Sequence, residues 1–270
     1  MKSRGGSGPS TVDVNGKGVP AYLRSLDAGY ETHFQAEVMA LPPGGVLLSR
    51  TLFYPTGGGQ PCDQGELRTP SGDRLRVMEV EPRSGAIVHR LSPAHLGKLA
   101  RGMPVEGRID WPRRYGHMRS HTAQHLLSAM VFRRHGIPTE RARLGGSGGS
   151  FDLARALPSE ESLRETFDAA NREFFTRSVP VSLAFVTPEE FAREPGRSSA
   201  ARLPHGLAEL RLVVIEGVDR TPCGGTHVRD TSEVGPVEGE PSLSLPGGGQ
   251  RLRFRLGPLG SGPSVPTPPG

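Results

Sequence analysis

His121-Thr-Ala-Gln-His125 and, far downstream, Cys223-Gly-Gly-Thr-His227 each set two metal-ligating side chains four residues apart. On a helix that spacing puts His121 and His125 on one face with Cβ atoms about 5–6 Å apart, the reach that two nitrogens need around a shared ion at about 2.0–2.1 Å. Gly224 and Gly225 free the backbone of the second segment for a tight loop that turns Cys223 and His227 toward one point. Thiolate and imidazole donors suit zinc better than magnesium or calcium, which take oxygen. The set His121, His125, Cys223 and His227 is therefore expected to bind Zn2+, an expectation that neither pair would carry alone.

His117 lies one turn before His121. A row at i, i+4, i+8 drifts by about 40° per step on a helix of 3.6 residues per turn, so His117 diverges from the ion while His121 and His125 converge on it. No glutamate follows His121, so the His-Glu-x-x-His arrangement of metalloproteases, with its glutamate base, is absent and peptide hydrolysis is not expected.

These residues need a helix and a loop to hold them. After Pro112, Met118, Ala123, Leu126, Leu127, Met130 and Val131 recur at helical spacing to about Arg134, where Gly136 and Pro138 stop the pattern. Leu210–Ile215 reads as a strand feeding the Cys223 loop. Further strands are predicted at Ser150–Leu153, Val179–Val186 and Arg251–Leu256. Ser159 is placed to cap a helix with an apolar stripe at Leu163, Phe167, Ala170 and Phe174. Thr187-Pro-Glu-Glu190 has the form of a capping box. Before Trp111, short alternating segments broken by Gly, Pro and Asp predict strands at His33–Leu41, Gly45–Phe53, Gly65–Arg68, Leu75–Val80, Ala86–Leu91 and Val105–Trp111. The expected fold is α+β: a small N-terminal β-barrel or sandwich, then an α+β unit. Residues 1–24 and 258–270 are expected to be disordered, with domains at 25–111 and 112–257.

The 270 residues carry a formal charge of +5, almost entirely through arginine, since the lysines are Lys2, Lys17 and Lys98 alone. The planar guanidinium fork suits phosphate, and a basic balance is consistent with a nucleic-acid partner. No apolar run nears the ~18–20 residues that span a bilayer, and the polar, Gly/Ser-rich start is not signal-like, so no membrane partner and a cytoplasmic location are expected. Cys62 and Cys223 make one bridge conceivable, but a reducing compartment favours ligation or a free thiol.

The motif order has a family likeness. His121-Thr-Ala-Gln-His125-Leu-Leu, preceded by Trp111-Pro-Arg-Arg-Tyr115, and Cys223-Gly-Gly-Thr-His227-Val resemble the editing core shared by alanyl-tRNA synthetase and the free-standing AlaX proteins. Phe53-Tyr-Pro-Thr-Gly-Gly-Gly-Gln-Pro61, with Asp63 and Gly65 after it, resembles the glycine-rich motif of the small β-barrel that precedes that core in the medium-length AlaX form. The likeness spans about residues 25–257. It implies an editing domain of the threonyl/alanyl-tRNA synthetase type that hydrolyses serine, and glycine as a further candidate, from mischarged alanine tRNA. It leaves no room for an ATP-using aminoacylation domain or for the C-terminal dimerising extension of longer relatives, and it calls for no obligate protein partner. The Gly-rich segments Gly145–Ser150 and Pro246–Gln250 depart from the pattern.

Under that resemblance His121, His125, Cys223 and His227 are both the metal ligands and the catalytic centre. An aminoacyl ester needs only an oriented water and help for the developing oxyanion, and zinc supplies both if one coordination position is open. With all four side chains bound the ion is closed and structural, which leaves a non-catalytic, zinc-stabilised tRNA-binding module as the alternative. Serine differs from alanine by one hydroxyl, and a buried polar group awaiting that hydroxyl rejects the analogue without it by about 10⁴–10⁵. Thr122 and Thr226 are the candidate pocket residues, whereas Gln124 is expected to pack or solvate. Gly57, Gly58 and Gly59 offer backbone amides to a phosphate or the acceptor end, and Gln60 a hydrogen bond to a base or ribose. Arg113, Arg114 and Arg119 are candidate phosphate contacts, and His117 a flanking or RNA-facing residue.

Overall fold

The computed structural model describes residues 23–193 and 208–259. The strands are β1 (His33–Ala40), β2 (Gly45–Leu48), β3 (Gly65–Arg68), β4 (Arg74–Val77), β5 (Glu79–Arg83), β6 (Ala86–Arg90), β7 (Pro104–Ile109), β8 (Thr139–Gly145), β9 (Gly148–Leu153), β10 (Val181–Val186), β11 (Leu210–Ile215), β12 (Asp219–Pro222), β13 (Val237–Ser244) and β14 (Gln250–Leu256). The helices are α1 (Pro93–Leu96), α2 (Trp111–His135), α3 (Glu160–Ala170) and α4 (Pro188–Ala192).

The first half forms a seven-stranded antiparallel sheet in the order β4-β3-β7-β1-β2-β6-β5. Alternation along β1 and β7 turns every second side chain inward, and Phe34, Val38, Phe53, Leu67, Leu75, Val80 and Ile109 fill the core. Leu75–Val80, expected as one strand, breaks at Met78: β4 pairs with β3, β5 pairs with β6, and Met78 donates its N–H to Arg90 O. The sheet's two edges are thus consecutive stretches of chain. Gly45–Phe53 keeps strand pairing only to Leu48, because the chain then turns to bury Leu52, Phe53 and Tyr54.

His89 lies inside this sheet, bonded through Nε2 to Thr51 Oγ1 and through Nδ1 to Val46 O. Burial pushes its pKa down from 6.5 to about 4. The folded state therefore refuses a proton that the unfolded chain accepts, and this group's contribution is complete above about pH 6.5 and is lost as pH falls toward about 4. His117, pushed down to about 4 chiefly by burial, acts in the same sense. Chemical denaturation from pH 7 to 4.5 should show stability falling, with a visibly flatter profile for His89→Gln; an unchanged slope would refute the assignment.

α2 is the element that positions the candidate site. Asp110 caps it, accepting from Arg113 N, and Gly136 ends it in the left-handed conformation at φ 62°. From Arg114 to Val131 nearly every side chain is buried although many are polar, so the helix is enclosed all round. A four-stranded antiparallel sheet, β13-β14-β9-β8, and α3 pack against it, and the three-stranded sheet β10-β11-β12 approaches through β12. The architecture is a mixed one of helices and antiparallel sheets.

Gly145–Ser150 forms the end of β8, the turn and the start of β9 in the β8–β9 hairpin. A Cβ on Gly148 would lie 2.2 Å from Phe254 O, and one on Gly116 of α2 would lie 2.4 Å from Gly146 O. The glycines therefore let the hairpin press against β14 and the central helix. Ser159 caps α3 and Thr187 with Glu190 closes a capping box, as their sequences predict. Leu23 and Leu259, at the margins of the described residues, pack against the two cores, so packed chain reaches slightly beyond 25–257. The disorder expected of the tails otherwise falls on residues outside those described. Cys62 and Cys223 are both free thiols.

Candidate metal centre

His121, His125, Cys223 and His227 offer ligand atoms that all lie within 4.8 Å of one another. The histidines are buried and Cys223 is partly exposed. Cys223 Sγ is 3.4 Å from His121 Nε2 and 3.3 Å from His227 Nε2. A tetrahedral zinc with Zn–S of about 2.3 Å and Zn–N of about 2.0–2.1 Å needs an S–N edge of about 3.5 Å, so the donors fit such an ion.

Each imidazole is held by its other nitrogen. His121 Nδ1 is 2.9 Å from Gln60 Oε1, His125 Nδ1 is 3.1 Å from Asp219 Oδ2, and His227 Nδ1 is 3.1 Å from Thr122 Oγ1. With acceptors at all three, Nδ1 carries the proton and Nε2 is left for the ion, the arrangement that fixes tautomer and ring orientation in metal sites. Burial pushes His121 and His227 down, which keeps the rings neutral. Burial also pushes the Cys223 thiol up, while positive charge and hydrogen bonding at the imidazoles of His121, His227 and His125 pull it well below its ordinary range, a role that a bound cation would take over once the rings are neutral. Neutral imidazole with thiolate is the donor state a soft divalent ion requires.

The loop that carries Cys223 is clamped from both sides. Cys223 N donates to Arg211 O, and the buried Arg211 side chain donates to Cys223 O and to Leu23 O. The Gly225 amide donates to Cys223 Sγ at 3.3 Å. Gln60 ties this loop to α2: its Oε1 accepts from Thr226 N as well as facing His121, and its Nε2 donates to Thr226 Oγ1 at 2.9 Å.

Several expectations change here. Gln60 is fully buried and orients His121 and Thr226, so it has no free edge for a base or ribose. Thr122, a candidate pocket residue, lies beside a ligand: its hydroxyl is 3.1 Å from His227 Nδ1 and also accepts from Val228 N. Arg114 is no phosphate contact: it is fully buried against Asp63 and donates to Gly29 O and Leu52 O. Arg119 spends its fork on Val234 O and Gly257 O. Arg113 keeps part of its fork after donating Nε to Cys62 O. His117 is buried and faces no RNA, and Gln124 packs inside, donating to Ser128 Oγ.

Gly57 to Gln60 form a tight turn closed by Gln60 N donating to Gly57 O at 2.9 Å and Gly57 N to Gln60 O at 3.2 Å. Gly58 and Gly59 take φ of 58° and 84°, which glycine alone adopts freely. Gly58 stands exposed at the tip, while Gly59 O accepts from Leu144 N and seats the turn on β8. Asp219 is the orienting residue that sequence reasoning missed. No local pattern links it to His125, 94 residues away.

Comparison with known proteins bears on the same residues. The class II (A) tRNA synthetase model matches residues 24–113, and the threonyl and alanyl tRNA synthetase second additional domain matches 210–238. The alanyl-tRNA editing protein AlaX-M of Methanosarcina acetivorans is 34% identical over 218 residues, covering 78% of this chain and 88% of that protein. The chain belongs to the AlaX-M family of alanyl-tRNA editing proteins. The AlaX-M protein of Saccharolobus solfataricus is 32% identical over 214 residues, 78% of this chain and 89% of its own length. The alanine–tRNA ligase of Pyrococcus abyssi is 35% identical over 235 residues, 83% of this chain but 24% of the ligase. The two family models together cover the glycine-rich turn and the Cys223–His227 half of the donor cluster. No helix of the described residues is long and apolar enough to cross a membrane.

Proposed function

We propose that this AlaX-M family member is a trans-editing hydrolase that deacylates serine, and glycine as a second substrate, from mischarged alanine tRNA in the cytoplasm. The observation that carries this reading is the convergence of one thiolate and three imidazoles whose outer nitrogens all have acceptors. Zn2+ is the ion proposed for His121, His125, Cys223 and His227, because its softness and tetrahedral preference match that set. When bound, it supplies Lewis acidity to the ester carbonyl and to a water.

The chain's own groups then bind and orient. Cys223 is partly exposed where the other donors are buried, which supports entry of an aminoacyl end from its side. Thr226 and the Gly57–Gly59 turn meet through Gln60, so the substrate amino acid is read where the turn and the loop touch. The free part of the Arg113 fork is left for phosphate. The two edge strands of the N-terminal sheet, consecutive at Met78, support reading residues 25–111 as a small barrel beside an editing unit at 112–257.

The test is to incubate the purified protein with seryl-, glycyl- and alanyl-charged alanine tRNA. Seryl ester should vanish well above background while alanyl ester survives; seryl ester stable at the background rate would end the proposal. Cys223→Ala should lose both metal and activity, and unchanged metal content by elemental analysis would exclude Cys223 as a ligand. One observation favours a second reading: four protein donors at tetrahedral spacing complete a shell, as in a structural zinc site. Under it, chelation unfolds the protein and tRNA binds without hydrolysis.

A further inference from the structure

We infer that the outer face of the N-terminal sheet is a docking surface for the phosphate backbone of the tRNA stem, with Arg76 and Arg108 as its binding groups. This rests on the deacylase reading above. An open cleft of about 400 Å³ lies there, lined by Gln64, Glu66, Arg74, Arg76, Arg108 and Asp110 among others. Across the ladder, Glu66 of β3 pairs with Arg76 of β4 on one side and with Arg108 of β7 on the other. The two exposed guanidinium groups therefore stand on one face, two strand spacings apart, about 9–10 Å at Cα.

The acids of the cleft are already engaged. Glu66 lies 3.7 Å from both Arg68 and Arg74. Asp110 caps α2 through Arg113 N. Among the described residues neither Arg76 nor Arg108 has a carboxylate within the 4.0 Å of an ion pair. Most other arginines on sheet faces do: Arg251 meets Asp152, Arg253 meets Glu240 and Arg255 meets Glu238. Two planar forks left without anions on an open surface are suited to phosphodiester oxygens.

Placement agrees with the same partner. Asp110 caps the helix that carries His121, and eleven residues at 1.5 Å put the metal centre about 16 Å further along the axis. An ester held at that centre sits on the unpaired 3′ end of the tRNA, and a few unpaired nucleotides at about 3.4 Å or more each bridge that gap to the paired stem.

The experiment measures binding of an alanine tRNA transcript to the full chain across a salt series, for wild type, for the Arg76→Ala/Arg108→Ala variant, and for Arg83→Ala/Arg101→Ala as a control for exposed charge elsewhere. The cleft variant should bind about tenfold more weakly, with the slope of log K against log salt reduced by about 2, and its deacylation defect should lie in KM with kcat retained. Equal affinity and slope for wild type and cleft variant, or an equal loss in the control, would overturn the assignment while leaving the deacylase reading standing. Saturable binding of inorganic phosphate that the cleft variant loses without losing tRNA affinity would assign the cleft to a small anion instead. A wild-type protein that neither binds nor deacylates tRNA would bring down both.

Discussion

Gly225→Ala should strip the protein of its metal while leaving it folded. A Cβ at that position would lie 2.1 Å from His121 Cε1, 2.3 Å from His121 Nδ1 and 2.9 Å from Gln60 Oε1. None of these atoms has freedom to retreat, since the ring is bonded to Gln60 and Gln60 is bonded twice to Thr226. One methyl group therefore either expels the His121 ring from the cluster or lifts the Cys223–His227 loop off α2. Loss of an orienting partner alone typically lowers metal affinity or activity about 10–100-fold, and displacing a ligand should do at least as much. Elemental analysis and seryl-tRNA deacylation read the effect, with circular dichroism showing that the fold survives. Full metal content and wild-type turnover in this variant would mean that the loop does not rest on His121 as described.

The second large effect concerns stability. Arg114 and Asp63 are both fully buried and face each other, and Asp63 Oδ2 also accepts from Tyr54 N. Removing one member of such a pair leaves a charge in a dry interior, at a cost of about 3–5 kcal/mol. Arg114→Ala should lower stability by that amount in urea denaturation, whereas a solvent-exposed phosphate ligand would change it little. Replacing both members with apolar or neutral residues, as in Asp63→Asn with Arg114→Met, should recover part of the loss, because the stranded charge is gone. A single variant as stable as the wild type would return Arg114 to the surface role its sequence position suggests.

Arg114 also illustrates what the linear pattern carries and what it hides. The His121 and His125 pair, the helix around it and the Cys223 loop are legible because spacing is local and helical periodicity is regular. The strands at 33, 65 and 210 follow from alternation or an apolar run bounded by turn residues. The fate of an arginine is not local. Arg113, Arg114 and Arg119 look alike in sequence, but Asp63, from a turn 51 residues earlier, draws one into the core, and the carbonyls of Val234 and Gly257 occupy another. Gln60 is singled out by its motif but its bond to His121 is not, and Asp219 is not singled out at all, for the same reason: each orienting contact is to an imidazole more than sixty residues away. Of the β8–β9 hairpin only Ser150–Leu153 is legible, because the glycines before it carry no alternation and answer to close packing with β14 and α2.

The wide separation of the donors has a consequence for how the protein is made. The centre closes only when Gln60 meets His121 across 61 residues and Thr122 meets His227 across 105. A growing chain that has not yet reached Cys223 presents two imidazoles and no thiolate, too few to hold an ion firmly. Capture at such a site would wait until Cys223 and His227 have been made, after the N-terminal sheet has its strands, so long-range closure rather than local helix formation would govern when an ion is taken up. An ion held there would act as a late latch, adding its binding free energy to a fold whose remote segments it joins.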